Sequence, residues 1–294
     1  MKKFLLFILK IVILILLLAV VLDFGYTIIY ERSKNRGKID YVFNSTARTY
    51  DVVVLGSSRA NNHFVTELFE KNGLKTFNYG MSGGHLHEAS LLLKLMIERK
   101  YKIKNVILEA DLNLANDKRA DGIAAKFLPY LHSSQIVKNH FKNEKDFVEL
   151  YYIPFYRYLK FETRIGFRDM VKTLVQEPTN ILANNGYFAL GNKTKGNMKN
   201  NIAKLNPLPN NKYYEEIKAV CKANNINFIA VMTPMCENVI GMDYFEKVNK
   251  SYPEIHNYEN VVIENKYFSS CGHMNDAGAR IFTNAIIQDF FKSK

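Results

Sequence analysis

Cysteine, tryptophan, proline and glycine are all scarce in this chain of 294 residues, which has 3 Cys, no Trp, 7 Pro and 15 Gly. The low Gly and Pro counts exclude collagen-like and proline-rich architectures, and a hydrophobic share of 48% excludes intrinsic disorder. Cys221, Cys236 and Cys271 form no CxxC pair and no Cys/His group at zinc spacing, so we expect neither a zinc site nor a disulfide framework. One bridge with one free thiol stays open.

Acidic residues are outnumbered, with 28 Asp+Glu against 40 Lys+Arg, which gives a formal net charge of +12. A basic balance favours anionic partners such as nucleic acid, phospholipid or an acidic glycan. The basic residues are dispersed along the chain rather than clustered, so we do not expect a nucleic-acid partner. The length fits one large domain or two small ones.

The longest apolar run opens the chain. Residues 4–22 are interrupted only by Lys10, and at helical rise they span about 28 Å, close to the hydrocarbon thickness of a bilayer. The run is hydrophobic on all faces, unlike a core helix, and no small-x-small cleavage site follows it. We predict an uncleaved membrane anchor over residues 1–30 and a juxtamembrane linker over 31–49. A second window, residues 11–29, leaves the depth of the helix open.

Charge alone does not orient this anchor. Lys2 and Lys3 favour a cytoplasmic N-terminus. Basic residues that favour a cytoplasmic body follow the span, namely Arg32, Lys34, Arg36 and Lys38. Because the first predicted strand begins only at Asp51, we expect that deletion of residues 1–30 leaves a folded, soluble body.

Short β-branched runs alternate with helical stretches from residue 50 onward. The predicted strands are residues 51–55, 76–79, 105–109, 227–232 and 260–264. The predicted helices are residues 61–72, 85–99, 212–224, 242–250 and 276–292. This alternation predicts an α/β domain over residues 50–294, a three-layer, flavodoxin-like parallel sheet of about five strands. An aromatic and basic stretch at about 114–209 breaks the rhythm and predicts a helical insertion.

The first predicted strand ends in Gly56-Ser57-Ser58-Arg59, directly before a helix. In a parallel sheet, ligands and chemistry collect at the carboxyl ends of strands, and a helix N-terminus there stabilises negative charge. Ser57 or Ser58 is therefore a candidate nucleophile. The alternative is that the serine only caps the helix.

Two further segments carry suitable chemistry. A Gly-rich turn follows the second strand, and it can aim backbone N–H groups such as that of Gly83 at an oxyanion. His273 lies at a loop-to-helix junction before the last predicted helix, which makes it a candidate general base. His85, His87 and Glu88 are close in sequence, but residues two apart point to different faces of a helix, so we expect no metal there.

The order and spacing of these blocks resemble the SGNH (GDSL-type) hydrolase superfamily. The resemblance implies that Ser58 is the nucleophile, that Gly83 supplies an oxyanion N–H, and that His273, in an H-x-N-x-x-G-A block, is the base. It also assigns Asn113 to the oxyanion site, although the usual neighbouring Gly is absent. The family has Asp three residues before its His, where this chain has Ser270.

The departure at Ser270 leaves the acid of a catalytic triad open. A main-chain carbonyl could hold His273 in a working dyad, or another carboxylate such as Glu264 or Asp111 could reach it. The third option is an inactive site. Cys236 and Cys271 both fall on the expected active edge of the sheet, and a disulfide between them is also open.

Within the superfamily, the chain looks most like envelope members similar to the D-alanyl-transfer protein of teichoic acid modification and to alginate-type O-acetyltransferases. That likeness implies a serine-dependent acyl esterase or O-acyltransferase acting on a cell-envelope polysaccharide. It also implies a single-pass protein of the bacterial cytoplasmic membrane with its body outside. The alternative is a non-catalytic binding or assembly subunit of the same fold.

The same likeness implies the partners: an acylated envelope polysaccharide or acyl donor, the membrane, and a membrane-bound acyltransferase. We expect no cofactor. Arg59 is a candidate ligand for an anionic group on the donor or acceptor, with a solvated or salt-bridged arginine as the alternative.

Overall fold

The structure, a computed structural model, describes residues 1–191 and 197–292. Residues 192–196, within the predicted insertion, and residues 293–294, at the end of the predicted domain, lie outside the described residues. Contacts divide the chain into two units. The helical unit comprises Met1–Ser45 and Asp121–Thr179, and the sheet unit comprises Thr46–Ala120 and Asn180–Lys294.

The sheet unit is built on a five-stranded, all-parallel sheet in the order β2-β1-β3-β5-β7, which confirms the predicted α/β class. A short parallel pair, β4 with β6, and an antiparallel hairpin, β8 with β9, complete its strands. The strands are β1 (Thr49–Leu55), β2 (Thr76–Asn78), β3 (Lys102–Glu109), β4 (Asn200–Asn201), β5 (Asn227–Met232), β6 (Val239–Ile240), β7 (His256–Asn257), β8 (Phe268–Ser270) and β9 (His273–Met274).

The central strands form because their apolar side chains are buried on both faces. In β1, Val53 and Val54 are fully buried, and Val53 pairs with Val106 of β3 on one side and Phe77 of β2 on the other. Strands covered on both faces have continuous apolar runs rather than alternating ones. Four of the five predicted strands are confirmed for this reason.

The fifth strand was predicted in the wrong place. The structure has no strand at 260–264; instead β7, His256–Asn257, pairs with Val231 and Met232 at the edge of the sheet. In the predicted segment Val261 and Ile263 are exposed. A two-residue polar edge strand carries no β-propensity signal, whereas the β-branched run beside it does.

The helices follow the predicted pattern with one change. The predicted helix at 61–72 is two helices, because Phe64 and Val65 are extended and buried between them. The helices are α1 (Lys2–Arg32), α2 (Lys38–Phe43), α3 (Ser58–His63), α4 (Thr66–Lys71), α5 (Leu86–Glu98), α6 (Asp121–Ala124), α7 (Gln135–Phe141), α8 (Phe147–Tyr152), α9 (Tyr156–Lys160), α10 (Glu162–Ile165), α11 (Phe167–Leu174), α12 (Lys212–Ala223), α13 (Asp243–Ser251) and α14 (Asp276–Phe291).

The helical unit joins α1 and α2 to the helices of the insertion, α6 to α11. α1 is long and apolar enough to cross a membrane, and no residue of its most apolar window is buried. Its C-terminal part is packed instead: Tyr26 and Tyr30 are buried, and Asp23 forms an ion pair with Arg157. α1 continues to Arg32, and α2 lies within the segment predicted as a linker.

Candidate active site

Gly56 forms the turn between β1 and α3. Its φ is +139°, and a Cβ at this position would lie 2.7 Å from Glu109 Oε2 and 2.9 Å from the Ala60 Cβ. Both the backbone conformation and the close approach therefore require glycine. The turn delivers Ser57 and Ser58 to the N-terminus of α3 at the carboxyl end of the central strand.

Ser57 and Ser58 have different partners. The Ser57 side chain accepts a hydrogen bond from the Arg59 N–H (3.2 Å) and donates to Glu109 Oε2 (2.7 Å), so Ser57 is the helix cap. Ser58 Oγ lies 2.8 Å from His273 Nε2. The capping alternative thus applies to Ser57, and Ser58 contacts the candidate base across 215 residues of chain.

His273 begins β9, in the hairpin that precedes α14. The Asn275 side chain caps α14 by accepting from the Gly278 N–H at 3.0 Å, which fixes the junction. Burial and the nearby charge of Arg59 lower the pKa of His273 from its usual value, and the Asp111 carboxylate opposes this shift. The ring is therefore neutral at neutral pH, the state in which it can accept a proton.

No carboxylate forms a hydrogen bond with His273 among residues 1–191 and 197–292; the Nδ1 partner is Ser270 Oγ at 3.2 Å. Glu264 is exposed and forms an ion pair with Lys266 at 2.6 Å. Asp111 is fully buried and contacts Arg59 rather than the imidazole, so it acts on His273 only through its charge. With Nδ1–H donating to Ser270, Nε2 is free to accept from Ser58.

Arg59, the predicted ligand for an anionic group, lines the same cavity as Ser58 and His273 and also has partners within the protein. The Arg59 side chain is buried; its Nε donates to Thr233 Oγ1 at 2.9 Å, and its Nη2 lies 3.0 Å from Asp111 Oδ2. Asp111 Oδ2 also accepts from the Thr233 N–H at 2.9 Å. A buried guanidinium requires such partners, so the salt-bridged alternative describes this residue. The pair joins α3 to the ends of β3 and β5.

His63 was not predicted as part of the site. It is fully buried at the end of α3, where Nε2 accepts from the Met274 N–H at 3.0 Å and Nδ1 donates to Thr233 Oγ1 at 3.1 Å. Burial and the charge of Arg59 hold its pKa well below the usual value, so the ring stays neutral. His63 thereby fixes the backbone next to His273. His63 lies in the same helix as the candidate nucleophile Ser58, five residues later, and this position was an available signal.

Glu109 was also missed, and it is fully buried at the end of β3. Its Oε2 accepts from both the Ser57 N–H (2.8 Å) and the Ser57 hydroxyl (2.7 Å). Burial, with the nearby Asp111 carboxylate, raises the pKa of Glu109 to about 8. A glutamate that closes an apolar strand was a detectable signal, because burial of a carboxyl group needs a specific partner.

The two residues predicted for the oxyanion site line the same cavity as Ser58 and His273, which has a volume of about 240 Å³. Gly83 has a φ of +80°, and Asn113 lies in a 3₁₀ turn, Leu112–Ala115, after β3. Within the described residues, neither the Ser58 N–H nor the Gly83 N–H donates to an acceptor. These two amides are available to a ligand in the cavity.

A disulfide joins Cys236, after β5, to Cys271, in the turn of the β8–β9 hairpin, with a Cα–Cα distance of 5.0 Å. Cys271 also lines the cavity, two residues before His273. Cys221 is a buried free thiol. The open alternative of one bridge plus one free cysteine is therefore the observed one.

His85 and His87 lie at the N-terminus of α5, where both contact Glu88. His87 and Glu88 are fully buried, with His87 Nδ1 2.8 Å from Glu88 Oε1, and the other Glu88 oxygen accepts from the His85 N–H at 2.8 Å. Among the residues that the structure describes, no group of three His, Cys, Asp or Glu side chains could hold a metal ion.

The site brings together a serine hydroxyl in contact with a neutral imidazole, the N-terminus of α3, and the two backbone N–H groups that have no acceptor among the described residues. These parts suit nucleophilic attack on a carbonyl carbon and stabilisation of the resulting oxyanion. No protein-family model matches this chain, and no curated protein sequence matches it.

Proposed function

We propose that the protein is a serine-dependent acyl esterase or O-acyltransferase of the SGNH type, anchored in a membrane and acting on a cell-envelope polysaccharide. The observation that carries this proposal is the 2.8 Å contact between Ser58 Oγ and His273 Nε2 at the wall of a cavity. The strand order, parallel and 2-1-3-4-5 within the five-stranded sheet, supports a flavodoxin-like topology.

The proposed reaction follows from this geometry. His273 Nε2 accepts the Ser58 proton as Oγ attacks the ester carbonyl, and the tetrahedral oxyanion is held by the Ser58 and Gly83 N–H groups, with Asn113 as a further donor. His273 then returns the proton to the departing alkoxide, which leaves an acyl group on Ser58. Water or a sugar hydroxyl, deprotonated by the same imidazole, accepts the acyl group and regenerates the serine.

The disulfide and the anchor together support an extracytoplasmic location for the body. Disulfides persist in oxidising compartments and are rare in the cytosol. The Cys236–Cys271 bridge therefore supports an extracytoplasmic body. The basic residues that flank α1 did not by themselves favour either side of the membrane. An apolar α1 followed by a body on the outer side matches a single-pass protein whose substrate is an envelope polymer.

One observation favours the second candidate, a non-catalytic binding or assembly subunit. Nδ1 of His273 contacts the Ser270 hydroxyl where the resembled family has a carboxylate. A neutral hydroxyl stabilises a developing imidazolium less well than a carboxylate does, and loss of the carboxylate from a well-studied triad costs about 10⁴ in turnover. In this reading the cavity would bind an acyl or sugar group without transforming it.

A fluorophosphonate probe separates the two candidates, because it labels only a serine activated by a base. We expect the detergent-solubilised full-length protein to be labelled, and the Ser58→Ala variant not to be labelled. Ser57→Ala is the matched control: it removes the adjacent hydroxyl and one helix cap but leaves the Ser58–His273 contact, so labelling persists.

The possible results have distinct meanings. Loss of labelling in His273→Ala, with Ser57→Ala still labelled, would support the proposed dyad. Labelling that persists in Ser58→Ala and disappears in Ser57→Ala would move the nucleophile by one residue. A native protein that is not labelled, although folded, would favour the binding subunit.

A further inference from the structure

The polar contacts of α1 begin where its apolar run ends. Residues 4–18 are all exposed, and the first polar contact comes at Asp23, one residue after the apolar run. Asp23 Oδ1 pairs with Arg157 Nη2 at 2.8 Å, and Oδ2 accepts from the Phe155 N–H at 2.7 Å. The segment around Phe155 is therefore fixed beside the first turn after the apolar run.

This contact also selects between the two windows for the span. In residues 11–29, Asp23 and Thr27 would lie in hydrocarbon, but both bind Arg157, whose side chain is almost fully buried. In residues 4–22, every one of these polar groups lies outside the apolar run. If α1 crosses the bilayer as proposed above, residues 4–22 form the span, and Asp23 lies at the boundary between hydrocarbon and headgroups.

Large apolar side chains are exposed at this level. Tyr152 is 68% exposed, Ile153 47% and Leu159 64%. Ile153 is two residues from Phe155, so its Cα lies within about 7 Å of the residue that contacts Asp23. Leu159 is two residues beyond Arg157 on α9. Large apolar side chains exposed together beside the end of an apolar helix are typical of a surface that contacts a protein or a membrane.

We propose that Tyr152, Ile153 and Leu159 form a lipid-contacting surface that inserts into the headgroup layer of the same bilayer that α1 crosses. Their chemistry fits that layer, where tyrosine and aliphatic side chains are favoured. Continuity with α1 identifies the occupant: the Asp23–Arg157 ion pair holds this surface where the bilayer begins. Contact of this surface with the headgroups would then restrict the tilt of the helical unit relative to the bilayer. A single spanning helix does not restrict the tilt in this way.

The chain has no tryptophan, so a single Trp substitution reports on one position without background. The test uses the full-length protein in phosphatidylcholine–phosphatidylglycerol vesicles, with lipids brominated either near the headgroup or near the chain end, and with iodide in the water. We expect Ile153→Trp to be quenched severalfold more by the shallow bromolipid than by iodide, with emission shifted to the blue.

Val175→Trp is the matched control. Val175 is also apolar, 66% exposed and in the helical unit, but it lies next to the Glu177 segment, whose carbonyl accepts from Arg36 beyond the end of α1. Arg32 lies about 14 Å along the helix from Asp23. We expect Val175→Trp to be quenched by iodide and not by either bromolipid. Equal thermal melting of the variants establishes that each is folded.

Leu14→Trp separates this proposal from the anchor itself. Leu14 is exposed in the middle of the apolar run, so deep bromolipid should quench it. Failure at Leu14 would contradict the anchor. Quenching at Leu14 together with iodide quenching at Ile153→Trp would overturn only the lipid-contacting surface. Shielding of Ile153→Trp from both iodide and bromolipid would also overturn it, because a second copy or another protein would then cover the surface.

Discussion

The two adjacent serines at the end of β1 have different partners because they occupy different positions relative to the start of α3. Ser57 precedes the first helical residue, so its hydroxyl caps α3 and reaches the Glu109 carboxyl group. Ser58 is the first residue of α3, and its hydroxyl contacts His273. The contacts with Glu109 and His273 do not follow from the letters G-S-S-R, because these two residues lie on other strands.

The hydroxyl of Ser270 stands where a carboxylate would orient His273, so Ser270→Asp tests the dyad. A carboxylate at Nδ1 would stabilise the imidazolium, and we expect hydrolysis of a small acetyl ester to rise by about tenfold or more. It would also raise the pKa of His273, which burial now lowers. Activity requires a neutral ring and is lost as pH falls through this pKa, so the acid limb should move to higher pH.

A pH–rate profile of kcat/KM for the native protein and Ser270→Asp measures both effects. Ser270→Ala is the control, since it removes the 3.2 Å contact to Nδ1 and should lower turnover without moving the limb upward. A Ser270→Asp protein with no turnover and no labelling at Ser58 would contradict the enzyme proposal.

The buried Glu109 makes stability fall as pH rises. Its folded pKa is about 8 against an ordinary value of 4.5, so between these pH values the folded protein holds a proton that the unfolded chain has lost. Stability from this group is complete below pH 4.5 and is lost as pH rises through about 8. Glu109→Gln cannot titrate, and its carbonyl oxygen can still accept from Ser57. We expect this variant to lose less stability from pH 5 to pH 8.

Urea unfolding in detergent at the two pH values gives the comparison. Glu264→Gln is the matched control, because Glu264 is exposed and forms an ion pair with Lys266 at the surface. The same loss of stability in Glu109→Gln as in the native protein would mean that Glu109 is already ionised in the folded state.

The turn after β2 offers a test with a built-in control. Gly83 and Gly73 both have a positive φ, +80° and +74°, and a Cβ at either position would meet no atom within 4 Å. Alanine at either site therefore costs about 1 to 2 kcal/mol of backbone strain and no steric clash. Only Gly83 lines the cavity. Alanine keeps the N–H, but relaxation of the strained φ at position 83 would turn this N–H away from the cavity. We therefore expect Gly83→Ala to lower ester turnover by up to about a hundredfold, the effect of losing one oxyanion donor, and Gly73→Ala to leave it unchanged.

Thermal melting and steady-state kinetics on the two variants separate strain from catalysis. Similar melting temperatures with unequal turnover support the oxyanion role. An equal loss of turnover in both variants would assign the effect to general destabilisation, and normal turnover in Gly83→Ala would remove Gly83 from the proposed mechanism.

The hairpin that carries His273 is short, and its position depends on contacts outside itself. β8 and β9 together comprise five residues, too few for an isolated hairpin to be stable. The Cys236–Cys271 disulfide and the hydrogen bond from the Met274 N–H to His63 attach the hairpin to the rest of the sheet unit. The contact between Ser58 and His273 thus depends on tertiary structure rather than on local propensity.

Within the helical unit, α1 has an exposed apolar run and a packed C-terminal part, so deletion of residues 1–30 would remove contacts as well as the predicted anchor. Asp23 and Thr27 satisfy Arg157, whose side chain is 1% exposed. Removing them leaves a buried charge unpaired, which costs about 3 to 5 kcal/mol. We expect a protein without residues 1–30 to melt about 10 °C or more below one that lacks only residues 2–21.

Circular dichroism melting of both truncated proteins in the same detergent provides the measurement. The shorter deletion keeps Asp23 and Thr27 while it removes most of the exposed apolar run, so it controls for loss of the span. Equal melting temperatures would show that the Asp23–Arg157 ion pair does not stabilise the helical unit.

The parallel sheet and most helices could be predicted because their signals are local. A strand buried on both faces is a continuous apolar run, as in residues 51–55 and 105–109, and α5, α12 and α14 have apolar positions at helical spacing. The Gly56–Arg59 turn with its candidate nucleophile, the Gly-rich turn and the loop with His273 could be picked out for the same reason. Each is a short motif at the end of such an element, and the structure brings Ser58, Gly83, Asn113 and His273 to one cavity.

The partners of those residues were beyond prediction, because each comes from a distant part of the chain. Arg59 meets Thr233, His63 meets Met274 and Cys236 meets Cys271, and no local pattern encodes these contacts. The edge strand β7 was misplaced because pairing with β5, not propensity, forms it. The apolar run allowed two depths for the first helix, and the burial of Arg157 against Asp23 selects one, since a buried guanidinium must be paired.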